Sequence, residues 1–213
     1  MQLRLIQSNR FKYYRAYIDE VYIGPVYSND LKKAEIDQDE MSQAQEGSET
    51  ILTADIEDAE GERLYSVVYS KAFEKYAALL AGAEYSAFDI RFKMKQKNYS
   101  ERIIDEVIDT LYRERYLDDK RYAESYIRSY SKSKSRTLII KELEYKGIEG
   151  DWLYDILDEV YEDEGIDKEE VIRTLIEKNY RGQDLKDEKV KRRVAAFLMR
   201  KGFSFSDINS YLT

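Results

Sequence analysis

Lys97-Asn98-Tyr99, Lys146-Gly147-Ile148 and Lys201-Gly202-Phe203 are three copies of one short seam, spaced through the C-terminal two thirds of the chain. Superposing them brings Ile90, Ile139 and Val194 together before the seam, and Ile104, Leu153 and Ile208 after it. A lysine followed by Gly or Asn is what a helix C-terminus wants, because the residue just past the helix adopts left-handed backbone. The three seams therefore predict one helix-turn-helix unit repeated three times. Units of this size do not bury their apolar faces alone, so neighbours complete the core and leave a flank free for a partner.

Helix starts follow the same grammar. Tyr85-Ser86 with Asp89 and Ile90 has an N-cap, a capping-box acid and a hydrophobic staple. Tyr99-Ser100 with Ile104, Leu117-Asp118 with Tyr122, Ile166-Asp167 with Glu170 and Val171, and Phe203-Ser204 with Asp207 and Ile208 fit the same pattern. Together with the helical spacing of Leu64, Val67, Val68, Ala72, Tyr76, Leu79 and Leu80, they predict three helices per repeat. The first repeat takes residues 62–115, the second 116–165 and the third 166–213. Residues 1–61 form a β region with an acidic loop. In it, Arg10 to Ile18 alternates, Val21 to Val26 continues as a second strand after Asp19-Glu20, and Leu3 and Leu5 add a further short strand. The turn chemistry is poor, since neither Asp19 nor Glu20 is Gly or Asn. Pro25, the chain's single proline, belongs on an edge or at a strand end. The fold class is mainly α, three tandem helix-turn-helix-like repeats stacked as a solenoid behind a small hairpin-containing region.

Composition narrows the chemistry. The 213 residues contain no Cys and no His, which removes disulfides, thiolate nucleophiles, imidazole bases and the usual zinc ligands. No phosphate-cradling glycine loop is present, so no catalytic, cofactor or metal site is expected. Ala34 to Glu62 carries eleven acids and no Lys or Arg; it suggests a solvated loop, within which Ile51, Leu52 and Ile56 could form a short strand. Neither a long apolar run nor a signal-peptide core appears, so a cytoplasmic protein with no membrane contact is expected, acting as a monomer.

Net charge is −8 but unevenly spread: residues 1–85 hold 9 Lys/Arg against 16 Asp/Glu, leaving 26 against 27 for the rest. Basic residues return near the second helix of each repeat. The first cluster contains Arg91, Lys93, Lys95, Lys97 and Arg102; the second Arg128, Lys132, Lys134, Arg136 and Lys141; the third Lys186, Lys189, Lys191, Arg192, Arg193, Arg200 and Lys201. On helical spacing Lys189, Arg192 and Arg193 share a face opposite Val190, Val194, Phe197 and Leu198. Asp118 and Asp119, adjacent acids, are assigned to a helix cap and its first turn rather than to a metal. Arg121 faces them or a partner. Trp152 aligns with Ile103 and is placed in or near the core.

Arg115-Tyr116-Leu117-Asp118-Asp119-Lys120-Arg121-Tyr122-Ala123-Glu124 resembles the Gly-Tyr-Leu-Asp-Asp-x-Arg-Phe-Ala signature of the RecX family, regulators of the RecA recombinase. Ser86 to Tyr99, Ile140 to Ile148 and Ala196 to Phe203 are similar to the family's segments ending in Lys-Gly-Phe, Lys-Gly-Ile and Arg-Arg-Gly-Phe respectively. Two residues depart from it: Arg115 stands where the family has Gly, and Asn98 replaces the first seam glycine. A positive backbone angle at Arg115 costs roughly 1 kcal/mol. The resemblance implies a curved three-repeat protein that lies on the RecA-DNA filament, through the basic residues above, and suppresses filament extension, ATP hydrolysis and strand exchange. Recombination, DNA repair and the SOS response are the processes it would modulate, with at most a weak contact to DNA itself. The alternative is a stand-alone helix-turn-helix DNA-binding regulator, since each unit has that form.

Overall fold

The computed structural model describes residues 1–8 and 10–212; Asn9 and Thr213, the last residue assigned to the third repeat, lie outside the described residues. Two compact units divide the chain, Met1–Leu117 and Asp118–Thr213. The first unit opens with a five-stranded antiparallel sheet of order β3-β2-β1-β5-β4, where β1 is Gln2–Ser8, β2 Tyr14–Ile18, β3 Val21–Val26, β4 Ser42–Glu46 and β5 Glu49–Asp55. Between β3 and β4 lies a short helix, α1, at Ser28–Lys33. Three helices follow: α2 at Asp58–Gly82, α3 at Ala87–Gln96 and α4 at Glu101–Arg113.

The sheet turns Leu3, Leu5, Tyr14, Ala16, Ile23 and Leu52 inward, and they join Leu64, Val68 and Ala72 of α2 in one core with Ile90, Met94, Ile104 and Leu111. Burial holds the hydroxyls of Tyr76 and Tyr99 in their neutral form, each pushed up to about 12. Asp30, buried at the start of α1, accepts a 2.7 Å hydrogen bond from Lys71, pinning α1 onto α2. Pro25 sits on an edge strand, where its missing N–H costs no ladder bond.

The hairpin at Asp19-Glu20 forms despite its sequence. Both residues take positive φ, 47° and 64°. Local bonds compensate: the Asp19 carboxylate accepts from the Gln2 N–H at 2.7 Å, and Glu20 pairs with Arg4.

The acidic segment departs from expectation. Residues 34–62 do not form a solvated loop: they supply β4, β5 and the start of α2. β4 is exposed at every position, so it carries no apolar alternation; backbone pairing with β5 around Gly47-Ser48 holds it instead. Gly47 provides the positive φ, 60°, that this two-residue turn requires.

The second unit contains six helices among the described residues. α5 spans Asp119–Tyr130, α6 Arg136–Tyr145 and α7 Trp152–Asp163; α8 spans Lys168–Tyr180, α9 Glu188–Arg200 and α10 Phe205–Leu212. The six positions aligned by the seams, Ile90, Ile104, Ile139, Leu153, Val194 and Ile208, are all at most 1% exposed. Trp152 is partly buried against the second core cluster, beneath Lys120.

At each seam the chain closes its helix identically. Asn98, Gly147 and Gly202 have φ of 58°, 76° and 86°. The following residues, Tyr99, Ile148 and Phe203, donate their N–H groups back to Met94, Leu143 and Leu198 at 3.2, 3.0 and 3.2 Å. These are paired hydrogen bonds of a Schellman cap, and the two residues joined in each case are buried together. Arg115 has φ of 60° and closes α4 in the same way, with Tyr116 donating to Leu111 at 2.8 Å. Asn98 also does what glycine cannot: its side-chain amide donates to the Tyr13 hydroxyl at 2.5 Å, while its backbone carbonyl accepts from Tyr22.

Gly202 has a second constraint. A Cβ there would collide with Leu138 and the Ser135 hydroxyl, which donates to the Gly202 carbonyl at 2.7 Å while capping α6. Gly202→Ala should therefore destabilise by about 2 kcal/mol or more, combining left-handed strain with overpacking. Arg115→Gly should act oppositely, stabilising by about 1 kcal/mol. Urea denaturation of both variants measures the two signs; a neutral Gly202→Ala would exclude the close packing against α6.

Candidate functional interface

The three basic clusters differ in what surrounds them. In the first, Arg91 pairs with Asp105 at 2.6 Å and with Glu101, which also receives Lys95 at 2.9 Å. Arg102 reaches Glu106 at 3.0 Å and lies over the Tyr65 ring. In the second, Arg128 meets Glu124, Asp163 and Glu164, and Lys132 meets Glu164 at 2.9 Å. The Glu164 carboxyl is held below its ordinary range, first by the hydrogen bond from Lys132 and then by Arg128. Lys134 bonds Glu142 at 2.6 Å over the Tyr130 ring, and Arg136 pairs with Asp158 over Tyr161. The acid-free run from Ser125 is thus neutralised largely by the acid-rich run that begins at Asp155. Lys141 alone in this cluster is exposed without a carboxylate partner among the described residues. Arg121 is exposed at the first turn of α5, its backbone N–H on the Asp118 cap.

The third cluster is different. Along α9, Lys189, Arg192, Arg193, Ala196, Met199 and Arg200 are exposed, at helical spacing on one face, while Val190, Val194 and Leu198 are buried. Lys189, Arg192 and Arg200 have no carboxylate partner among the described residues, and Arg193 bonds only the neutral Gln183, at 2.9 Å. Lys201 lies at the helix end against Phe197, and its carbonyl accepts from the Ser135 N–H. Met199, on the same face of α9, is 55% exposed, and Phe205 on α10 is 66% exposed. The sequence offers no sign of this pair, because positional spacing alone does not separate them from the packed residues beside them. No group of three or more Asp and Glu among the described residues is placed to hold a metal ion. Among those residues no helix is long and apolar enough to cross a membrane.

Comparison with known proteins places this architecture. Three family models match in order: the first three-helix domain of RecX over residues 72–111, the second over 118–153 and the third over 167–212. The regulatory protein RecX of Haemophilus influenzae is 33% identical over 147 residues, 65% of this chain and 93% of that protein. The chain belongs to the RecX family. The regulatory protein RecX of Bacillus velezensis is 32% identical over 144 residues, 67% of this chain but only about half, 54%, of the relative's length. A crystal structure of a regulatory protein RecX shares the fold across 97% of both chains, with a TM-score of 0.52 at 21% identity.

Within the third RecX domain, an ion pair ties α8 to α10. Lys168, at the first turn of α8, donates to Asp207 of α10 at 2.6 Å, and Asp207 also closes the Ser204 cap. The Lys168 ammonium, with the Ser204 groups, holds the Asp207 carboxyl down from 3.8 to about 2. Because the folded value is depressed, this pair stabilises the domain above the ordinary carboxyl range and is lost as pH falls toward about 2. Asp207→Asn should lower stability at neutral pH by about 1 kcal/mol after solvent screening and flatten the loss below about pH 4. Denaturation midpoints across that acid range check it; an unchanged acid slope would show that Asp207 does not contribute to acid unfolding.

Proposed function

We propose that this RecX family protein is a regulator of RecA that binds the RecA-DNA filament and restrains its extension, ATP hydrolysis and strand exchange. The observation that carries the reading is the α9 face, where Lys189, Arg192, Arg193 and Arg200 stay exposed without carboxylate partners among the described residues, while most cations of the other two clusters are satisfied internally. Cations left unpaired retain their full field for an acidic or phosphate-bearing partner. Met199, on the same helix face, adds apolar area beside them, the mix of basic rim and apolar anchor that protein interfaces favour. Three domains in tandem suit a partner that itself repeats, since modest contacts on linked modules multiply through effective concentration. Regulation proceeds by occupancy, and the chain itself carries out no reaction step.

Arg192→Ala combined with Arg193→Ala should weaken filament binding about tenfold or more with an almost unchanged melting curve, since both side chains are exposed. The assay is ATP hydrolysis by preformed RecA on single-stranded DNA: the unaltered protein slows it, and the double variant needs a higher concentration to do so. Unchanged hydrolysis at several-fold excess of the unaltered protein would falsify the reading. Tight, salt-steep and sequence-selective binding to bare duplex, with no effect on RecA, would favour a stand-alone DNA-binding regulator instead.

A further inference from the structure

We propose that the outer face of the N-terminal sheet binds single-stranded nucleic acid, stacking its bases on the exposed Phe11 ring and the half-buried tyrosine rings beside it. The inner face already supplies the core through Leu3, Leu5, Tyr14, Ala16, Ile23 and Leu52. Folding does not explain what covers the other side. Phe11, 46% exposed, stacks on Tyr13 with centroids 5.0 Å apart and planes 29° from parallel. Tyr17 lies 5.2 Å from Tyr22 and beneath the Arg4 guanidinium at 5.0 Å. These four rings, with Arg15 and Asn98, line a hollow of about 730 Å³. Asn98 holds two of them in place, donating to the Tyr13 hydroxyl and accepting from that of Tyr22.

Charge selects the kind of ligand. Arg4 and Arg15 are neutralised by Glu20 and Glu49, whereas Arg10 and Lys12, at the rim beside Phe11, are exposed with no carboxylate partner among the described residues. The surface therefore offers ring faces and two free cations. Residues 1–85 carry 16 acids against 9 bases, a field that opposes a duplex, whose charge density is high and whose base faces are closed by stacking on one another. A single strand brings a lower charge density and open base faces, and ring stacking is tolerant of which base arrives. The site uses none of the α9 residues and does not depend on RecA.

The test uses the full-length protein without RecA and measures anisotropy of dye-labelled strands at moderate salt. Three ligands are compared: a short oligothymidylate, an abasic strand of the same length, and a duplex. Stacking predicts affinity for oligothymidylate about tenfold or more above the abasic strand, with the duplex weaker still. Phe11→Ala with Tyr17→Ala should erase the preference. Should that variant melt early, Phe11→Leu, which keeps apolar bulk at an exposed position and removes only the ring, should still lower oligothymidylate affinity about tenfold. Equal binding of the abasic strand, or a preference that survives loss of the Phe11 ring, would overturn the proposal.

Discussion

The turns that follow α3, α4, α6 and α9 depend on how a helix is allowed to end. Four carbonyls at each C-terminus lack intrahelical partners, and the chain must satisfy some of them while turning toward the next helix. Asn98, Arg115, Gly147 and Gly202 do this with left-handed backbone, and the residue after each returns an N–H to the last turn. The same bond draws an apolar side chain under the helix: Tyr99 onto Met94, Ile148 onto Leu143, Phe203 onto Leu198. Direction, hydrogen bonding and core packing are thereby set by one local conformation. Ser100 and Ser204 then cap the next helix one residue after their seams, so little freedom remains in the turn.

Electrostatics sorts what the repeat leaves outside. Basic residues recur at matching places, yet recurrence does not make them equivalent. Those of the second repeat face an acidic helix and are spent on Asp158, Asp163 and Glu164. Lys189, Arg192, Arg193 and Arg200 on α9 have no such neighbour among the described residues, while Lys191 pairs with Glu188 within the helix, and the difference separates an internal brace from a surface able to attract a partner. The acidic N-terminal unit adds an opposite field, which makes its aromatic sheet face a place for stacking rather than for phosphate capture.

Much of the helical part is legible because its signals are local. Caps at Ser86, Ser100, Asp118 and Asp167 accept the N–H groups expected of them, and Ile139 and Val194 are fully buried as their register requires. The acidic segment hides its strands for a physical reason: β4 is held by backbone pairing alone, which leaves no alternation of side chains to detect. Helix α1 is only six residues long, too short for a helical period to register. The pairing of Arg128 with Glu164 joins residues 36 apart, beyond any motif.

The sequence by itself determined the repeat, its helix ends, the apolar positions inside each domain and the family resemblance, because caps, left-handed residues and 3.6-residue periodicity act within a few positions. Only the tertiary structure decided which cations stay unpaired, why Gly202 tolerates no Cβ, and that one side of the sheet gathers a group of rings around the exposed Phe11. Those properties belong to distances between chain segments far apart in sequence, and no local pattern encodes them.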